Sequence, residues 1–598
     1  MNILTKNWQH IGMSAGILAA ALAMLSCGGS GTDPQAPFKQ QKLTWAVCDP
    51  SSYADTLTAL GSRAQCADMR VPLDYAEPTR GELSVALMRV SAEVPAQRIG
   101  AILFNPGGPG NDGLFLAPLF AALWGNANPA SASGRLYKQM SQAYDLIGFS
   151  PRGTGNSTRL YCGSNEQLLF VANPVADRSP QNIAAMLFNA RLKAQSCLKN
   201  PLTPFINTDA TARDMDLLRH LLGDEKLNYY GASYGTWLGS WYASLFPQRV
   251  GRMLLTGLVD LNINLEETFL TQGLGYQRVL DDVLAPYAAR HADLFGLGTD
   301  AEVVRQIHRS LPLHLQDAVS EMLTGMMGDS NQADQVVLTL RAAKVFKGLI
   351  QANPAADEKM LAGLIASDGW PFGAPVASLD TRAQDQALQI NAAYQSRLRR
   401  DTSTLELSAG AAMSFAIACN DTGMRLGADA WVAQNTRLAA LYPLFGGFFT
   451  EWPCLYWSAP PVTRPALALA SHAGGIVMLQ TQLDARTPLE GALKSFAAMP
   501  NASLVLVQGE YNHGLALPYQ VDCVDIPLAE YFLSGKQPVR QSSCAGKPLS
   551  ADQPAMAAGA QQKRANAGSV QPVPVFNDPD AAARLIEQIR KLSLGSPT

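Results

Sequence analysis

Short apolar runs alternate with stretches of helical period through the first half of the chain. Leu83–Val90 carries enough two-residue alternation to predict a strand. Ile102–Phe104, Tyr144–Phe149, Leu227–Tyr230 and Arg252–Leu258 are short apolar runs of strand length. Between them, Met215, Leu218 and Leu222 share one face of a helix predicted over Thr211–Leu222, and Thr236–Phe246 reads as another. Short strands alternating with helices predict a mostly parallel sheet covered by helices on both faces.

From about residue 262 to 458 the pattern changes. Tyr276–Ala289, Ala301–Ser310, Ala333–Phe346 and Glu358–Ile365 are helical in period, and strand-like runs are scarce. Strand signals return at Ile476–Leu479 and Ser503–Val507. The helical region therefore interrupts the sheet domain as an inserted lid. The expected organisation is a signal over 1–27, a tether over 28–40, sheet domain over 41–261, lid over 262–458, the rest of the sheet domain over 459–545, and a tail over 546–598. Residues 546–571 are rich in Ala, Gln, Gly and Pro and read as a surface-draped segment, and Ala581–Leu592 as a short closing helix.

Composition narrows the class. The 598 residues are 47% apolar and 16% charged, enough for a large core. Forty-six basic against 49 acidic side chains give a net charge of −3, without the basic excess of a nucleic-acid binder. No internal repeat is present.

The N-terminus points to export. Lys6 precedes an apolar stretch, Ile11–Leu25, which suits a signal h-region better than a bilayer span. It ends in Met24-Leu25-Ser26-Cys27-Gly28, which resembles a bacterial lipobox with Cys27 as the lipidated residue, and a Gly/Ser/Pro-rich tether follows. The expected location is outside the bacterial cytoplasm, as an anchored lipoprotein or a periplasmic or secreted protein. Membrane attachment is expected only through that lipid. Setting Cys27 aside leaves eight of nine cysteines, an even number that suits disulfides in an exported protein. Nearest-neighbour pairing gives Cys48–Cys66, Cys162–Cys197, Cys419–Cys454 and Cys523–Cys544. No Cys-x-x-Cys or Cys/His cluster calls for a metal.

The candidate nucleophile is Ser233, in Gly231-Ala232-Ser233-Tyr234-Gly235. A predicted strand precedes this Gly-x-Ser-x-Gly pattern and a helix follows, the context of a sharp turn that exposes a serine at the carboxyl end of a sheet. A serine needs a base. Of seven histidines, His10 lies in the signal, His220 precedes the serine, His291, His308 and His314 fall in the lid, and His472 comes before the sheet resumes. His513 follows the strand Ser503–Val507 and is left as the base. Asp484, in the loop after Ile476–Leu479, is placed to orient it, with Glu490 a weaker rival. The oxyanion donors are expected to be the N–H of Tyr234 and that of Gly108, with Gly107 the alternative, from Asn105-Pro106-Gly107-Gly108-Pro109-Gly110. This loop lacks the features of a dinucleotide or phosphate cradle, and no cofactor is expected.

These residues resemble the α/β-hydrolase serine exopeptidases of peptidase family S33, the prolyl iminopeptidase and tripeptidyl aminopeptidase group. The resemblance rests on Val71-Pro72-Leu73-Asp74-Tyr75, Gly107-Gly108-Pro109-Gly110, Arg152-Gly153-Thr154-Gly155, Gly231-x-Ser233-x-Gly235, Ala416-Ile417-Ala418-Cys419-Asn420-Asp421, Asp484-x-x-Thr487-Pro488 and His513-Gly514. It spans roughly residues 40–545 in order. It implies an α/β-hydrolase fold with a helical lid, and release of short peptides from free N-termini by Ser233, Asp484 and His513. Asn111-Asp112-Gly113 and Thr256-Gly257-Leu258-Val259-Asp260 depart from the family's usual wording on the substrate side. An enzyme that reads a free amine needs carboxylates, and Glu266, Glu267 and Asp421 are the candidates. Two other readings stand beside this one: an esterase or lipase on the same triad, and a surface binding protein on a retired hydrolase fold. The expected partners are peptide substrates, and the sequence assigns no oligomeric state.

Overall fold

The computed structural model of the chain describes residues 33–49, 54–367 and 377–553. The signal, Cys27 and the helix expected at Ala581–Leu592 lie outside these residues. The apolar runs become neighbours in one ten-stranded sheet. Its strands are β1 (Ala46–Val47), β2 (Ala64–Pro72), β3 (Glu82–Val90), β4 (Gly100–Asn105), β5 (Tyr144–Phe149), β7 (Leu227–Ala232), β8 (Val250–Thr256), β10 (Ile476–Thr481), β11 (Ala502–Gln508) and β12 (Gln541–Ala545). The spatial order is β1-β2-β3-β5-β4-β7-β8-β10-β11-β12. Pairing is antiparallel from β1 to β5 and parallel from β5 through β12. A separate two-stranded sheet joins β6 (Cys162–Gln167) to β9 (Thr404–Leu407). This is the α/β-hydrolase fold, with a mostly parallel sheet between helical layers.

Strands β4, β5 and β10 are buried along their whole length, as parallel strands covered on both faces must be. Successive side chains point to opposite faces. Along β10, Ile476 and Met478 join the cluster that holds Trp237 and Trp241, whereas Val477 and Leu479 join the one that holds Phe104 and Trp124. Fully burying one such aliphatic side chain contributes roughly 1.5–3 kcal/mol.

Among the described residues between β8 and β10, the elements are helices apart from β9. The lid expected over 262–458 is divided in its packing. Residues between Tyr276 and Ile390 form a second core around Leu315, Val336 and Phe346, which Leu444, Ala485 and Tyr511 join. Most buried apolar residues from Leu405 to Cys454, Leu444 apart, pack instead into the sheet domain's core. Helical period reveals the helices but not which core they share.

Two motifs of the resemblance meet in the structure. Arg152, fully buried, donates through Nε and Nη2 to both carboxylate oxygens of Asp214 at 2.7 and 2.6 Å, and its other bonds reach the carbonyls of Pro72, Leu73 and Phe205. Tyr75 Oη donates to the same carboxylate at 2.8 Å. With every donor satisfied in this way, a buried ion pair is tolerated. The four disulfides are Cys48–Cys66, Cys162–Cys197, Cys419–Cys454 and Cys523–Cys544, the nearest-neighbour scheme. The described part of the tail is strapped to the lid, where Asp552 meets Arg290 Nη2 at 2.5 Å and His291 Nε2 at 2.7 Å.

Candidate active site

Ser233 sits between β7 and the helix Tyr234–Leu245, with φ 57° and ψ −123°. A non-glycine residue in this region costs of order 1–3 kcal/mol and persists only where its surroundings enforce it. They do so here. The Ser233 N–H donates to Thr256 O on β8 at 2.9 Å. At Gly231 a Cβ would lie 2.4 Å from Tyr229 Cε1 and 2.5 Å from Gly235 O, so only glycine lets the turn close.

Asp484 follows β10 and is buried. Its Oδ1 accepts from Arg486 N at 2.8 Å and Thr487 N at 2.9 Å, and its Oδ2 from Thr487 Oγ1 at 3.0 Å. His513 Nδ1 lies 2.9 and 3.1 Å from its two oxygens. The loop bearing His513 is tied down on several sides. Leu515 N donates to Thr256 Oγ1, Thr481 Oγ1 donates to Asn512 O, and Tyr230 Oη donates to Leu515 O. The lid holds the same loop: His513 N donates to Gly328 O at 2.9 Å and Ser330 N to Asn512 Oδ1 at 2.6 Å. Ser233 and His513 thus share Thr256 as an anchor. Among the described residues the Ser233 hydroxyl has no hydrogen-bond partner, and such bonds often tighten only when substrate arrives.

The glycine loop after β4 lies against the serine. A Cβ at Gly107 would meet Ala232 O at 2.6 Å and Ser233 Cβ at 2.8 Å. The Gly107 N–H donates to Asn105 Oδ1 at 3.0 Å. That bond occupies the alternative oxyanion donor, so Gly108 stays the candidate. Gly108, Ser233 and Tyr234 line one cavity of about 120 Å³. Its apolar wall includes Leu258, Val259, Ile263, Leu265, Phe269 and Leu274. Its charged lining is Asp260, Arg486, Glu490 and Lys494. Glu490 is thus a lining residue and ion-pairs with Arg278; the imidazole is oriented by Asp484.

The three expected ammonium anchors lie elsewhere. Glu266 is buried and accepts from Thr422 Oγ1 at 2.8 Å, and burial raises its pKa. Glu267 completes a capping box with Asn264 and pairs with Arg425. Asp421 accepts from Thr208 N at 2.8 Å and Trp237 Nε1 at 3.0 Å, and burial pushes its carboxyl up to about 7. None of the three is among the lining residues. Sequence reasoning quoted Asp260 in the stretch Thr256–Asp260 on the substrate side but gave it no role. It also gave no role to Thr487, although Thr487 stands in the quoted Asp484-x-x-Thr487-Pro488, and it missed Asn105, whose amide holds the glycine loop.

Among the described residues no group of three or more His, Cys, Asp or Glu side chains is placed to hold a metal ion. Nor is any described helix long and apolar enough to cross a membrane. Chemically, the cavity offers a half-buried serine beside the main chain of Gly108 and Tyr234, and an aspartate-bound imidazole sits on a loop anchored to the same Thr256.

Two family descriptions match: "alpha/beta hydrolase fold" over residues 100–298 and "TAP-like protein" over 442–544. A tripeptidyl aminopeptidase of Streptomyces lividans is 29% identical over 502 residues, covering 80% of this chain and 83% of that one. Serine protease Hip1 of Mycobacterium tuberculosis is 28% identical over 550 residues, covering 89% and 96%. A protein of Mycobacterium tuberculosis named carboxylesterase B is 30% identical over 529 residues, covering 86% and 92%.

Proposed function

Because the chain belongs to the α/β-hydrolase family, in its tripeptidyl aminopeptidase-like branch, and is a serine hydrolase, we propose that it is an exported peptidase that releases short peptides, tripeptides first among them, from free N-termini. His513 takes the Ser233 proton as Oγ attacks the scissile carbonyl. Asp484 holds the imidazole with Nδ1 protonated and stabilises the imidazolium. The N–H groups of Tyr234 and Gly108 receive the oxyanion. His513 then protonates the departing amine, and water hydrolyses the acyl-enzyme by the same route in reverse.

The observation that carries this reading is the serine at positive φ, set on the same anchoring residue as an aspartate-oriented histidine and opening into one cavity. In that cavity Asp260 and Glu490 are the carboxylates available to a substrate ammonium, in place of Glu266, Glu267 and Asp421. Their distance from Ser233 sets how many residues the released peptide holds. Export is supported by four disulfides, which persist in oxidising compartments; lipid attachment at Cys27 belongs to the same proposal.

An esterase uses the same machinery, and one relative carries that name. Free-amine mono-, di- and tripeptidyl anilides, each compared with its N-acetyl form, separate the two. Cleavage of the free tripeptidyl anilide at least tenfold faster than its blocked form is expected. Equal rates on both would reject the aminopeptidase reading.

A further inference from the structure

The cavity's charged lining holds two acids and two bases, but its ion pairs leave one cation over. Both lining acids have a cation: Asp260 Oδ2 lies 3.5 Å from Lys494 Nζ, and Glu490 pairs with Arg278. Arg486 is left over. Among the described residues no carboxylate lies within ion-pair distance of its guanidinium. Asp484 is the acid nearest in sequence, but its oxygens already serve the Arg486 and Thr487 amides, the Thr487 hydroxyl and His513. Arg486 Nε is buried with no hydrogen-bond partner, and the polar group beside the guanidinium is the phenol of Tyr276. Arginine cannot shed its proton, so a buried donor without an acceptor carries its full desolvation penalty. That penalty is relieved when an anion enters.

The position of Arg486 narrows what the anion is. A Cβ at Gly328 would lie 3.3 Å from Arg486 Nε and 3.6 Å from His513 Cβ. Arg486 and the base of the His513 side chain thus flank the same lid glycine, and Arg486 lines the cavity that Ser233 opens into. We propose that Arg486 receives a carboxylate of the peptide substrate on the leaving-group side of the scissile bond. This deepens the peptidase reading and rests on it. The planar guanidinium matches a carboxylate through two parallel N–H···O bonds. Two parts of a peptide can supply that group: the C-terminal carboxylate of a short leaving segment, or an acidic side chain at its first residue. The enzyme would then favour short peptides with a free C-terminus, or peptides cleaved before Asp or Glu.

The experiment measures kcat/KM of the full chain for tripeptide release from three substrates: Ala-Ala-Ala-Ala, its C-terminal amide, and Ala-Ala-Ala-Asp amide. The free acid, the aspartyl amide or both should exceed the alanyl amide by about 10–100-fold, the range of one charge-assisted contact. Whichever exceeds it identifies the source of the carboxylate. In Arg486→Ala that ratio should fall to about one, and in Arg486→Lys it should lie between. Because the readout is a ratio within each protein, a general loss of activity does not mimic it, and fluorophosphonate labelling confirms that each variant is folded. A wild-type ratio near one, or a ratio unchanged in Arg486→Ala, would overturn the inference while leaving the peptidase reading standing. Failure to cleave any of the three would remove both.

Discussion

The two ends of the cavity are held in different ways. At the reactive end, Asp484 is buried under four donors, the His513 loop is pinned by Thr256, Thr481 and Tyr230, and Ser233 is forced to positive φ by its glycine neighbours. The three pins on the loop are hydroxyls carried by strands β8, β10 and β7, so the loop is held by the sheet itself. At the recognition end, charge is carried by long side chains. Glu490 and Lys494 are 54% and 65% exposed at the side chain, and the Lys494–Asp260 pair spans 3.5 Å. Each pair joins an exposed partner to a largely buried one, Asp260 or Arg278. One end is therefore preorganised for chemistry, and the other is able to exchange its internal partners for those of a substrate.

If this contrast holds, substitutions at the reactive end should remove turnover, and those at the recognition end should shift selectivity. The largest effect is expected for Ser233→Ala, which should lower kcat by about 10⁴-fold or more with an unchanged thermal midpoint. Near-normal turnover would place the nucleophile elsewhere. Asp484→Asn should come next, at about 10³-fold or more in kcat, because the imidazole loses both its tautomer and its counter-charge; a change confined to KM would contradict this. At the other end, Asp260→Asn should raise KM for free-amine tripeptidyl anilides by roughly tenfold, the worth of one charge-assisted hydrogen bond. It should leave N-acetyl substrates alone, and equal loss on both would show that Asp260 is structural.

The smallest effect is expected away from both ends. Burial holds the Asp421 carboxyl up to about 7, whereas an unfolded aspartate titrates near about 3.9. Between those values the folded chain keeps a proton that the unfolded chain has lost, so this group makes stability fall as pH rises from about 4 to about 7. Asp421→Asn has no such proton to hold. Urea unfolding from pH 4 to 8 should show a flatter pH dependence for the variant, with kcat little changed. Parallel curves would mean that Asp421 is not raised.

The same contrast explains what the sequence could say. Ser233, Asp484 and His513 could be chosen as candidates because each stands in a turn or loop that follows a strand, and the order of apolar runs and turn residues shows where strands end. The glycine loop was legible because prolines exclude themselves as donors, which left Gly107 and Gly108 to be separated by one side-chain bond from Asn105. Where the carboxylates lie relative to the cavity was not legible, for the opposite reason. Glu266 and Glu267 open a helix, but the helical period does not say which face meets the cavity, and the lining residues of that helix are Leu265, Thr268 and Phe269. Asp421 stands in a motif whose function in the structure is to join Thr208 and Trp237 across the core. Likewise the division of the helical region between two cores depends on long-range packing, and β9 finds its partner more than two hundred residues away, in β6.

The most direct test is to label the purified protein with a fluorophosphonate and map the adduct by mass spectrometry. The expected result is a single adduct on the peptide containing Ser233, formed rapidly in the wild type, slowed strongly in Asp484→Asn and absent in Ser233→Ala. An unlabelled protein, or an adduct on any other serine, would contradict the assignment of Ser233 as the nucleophile.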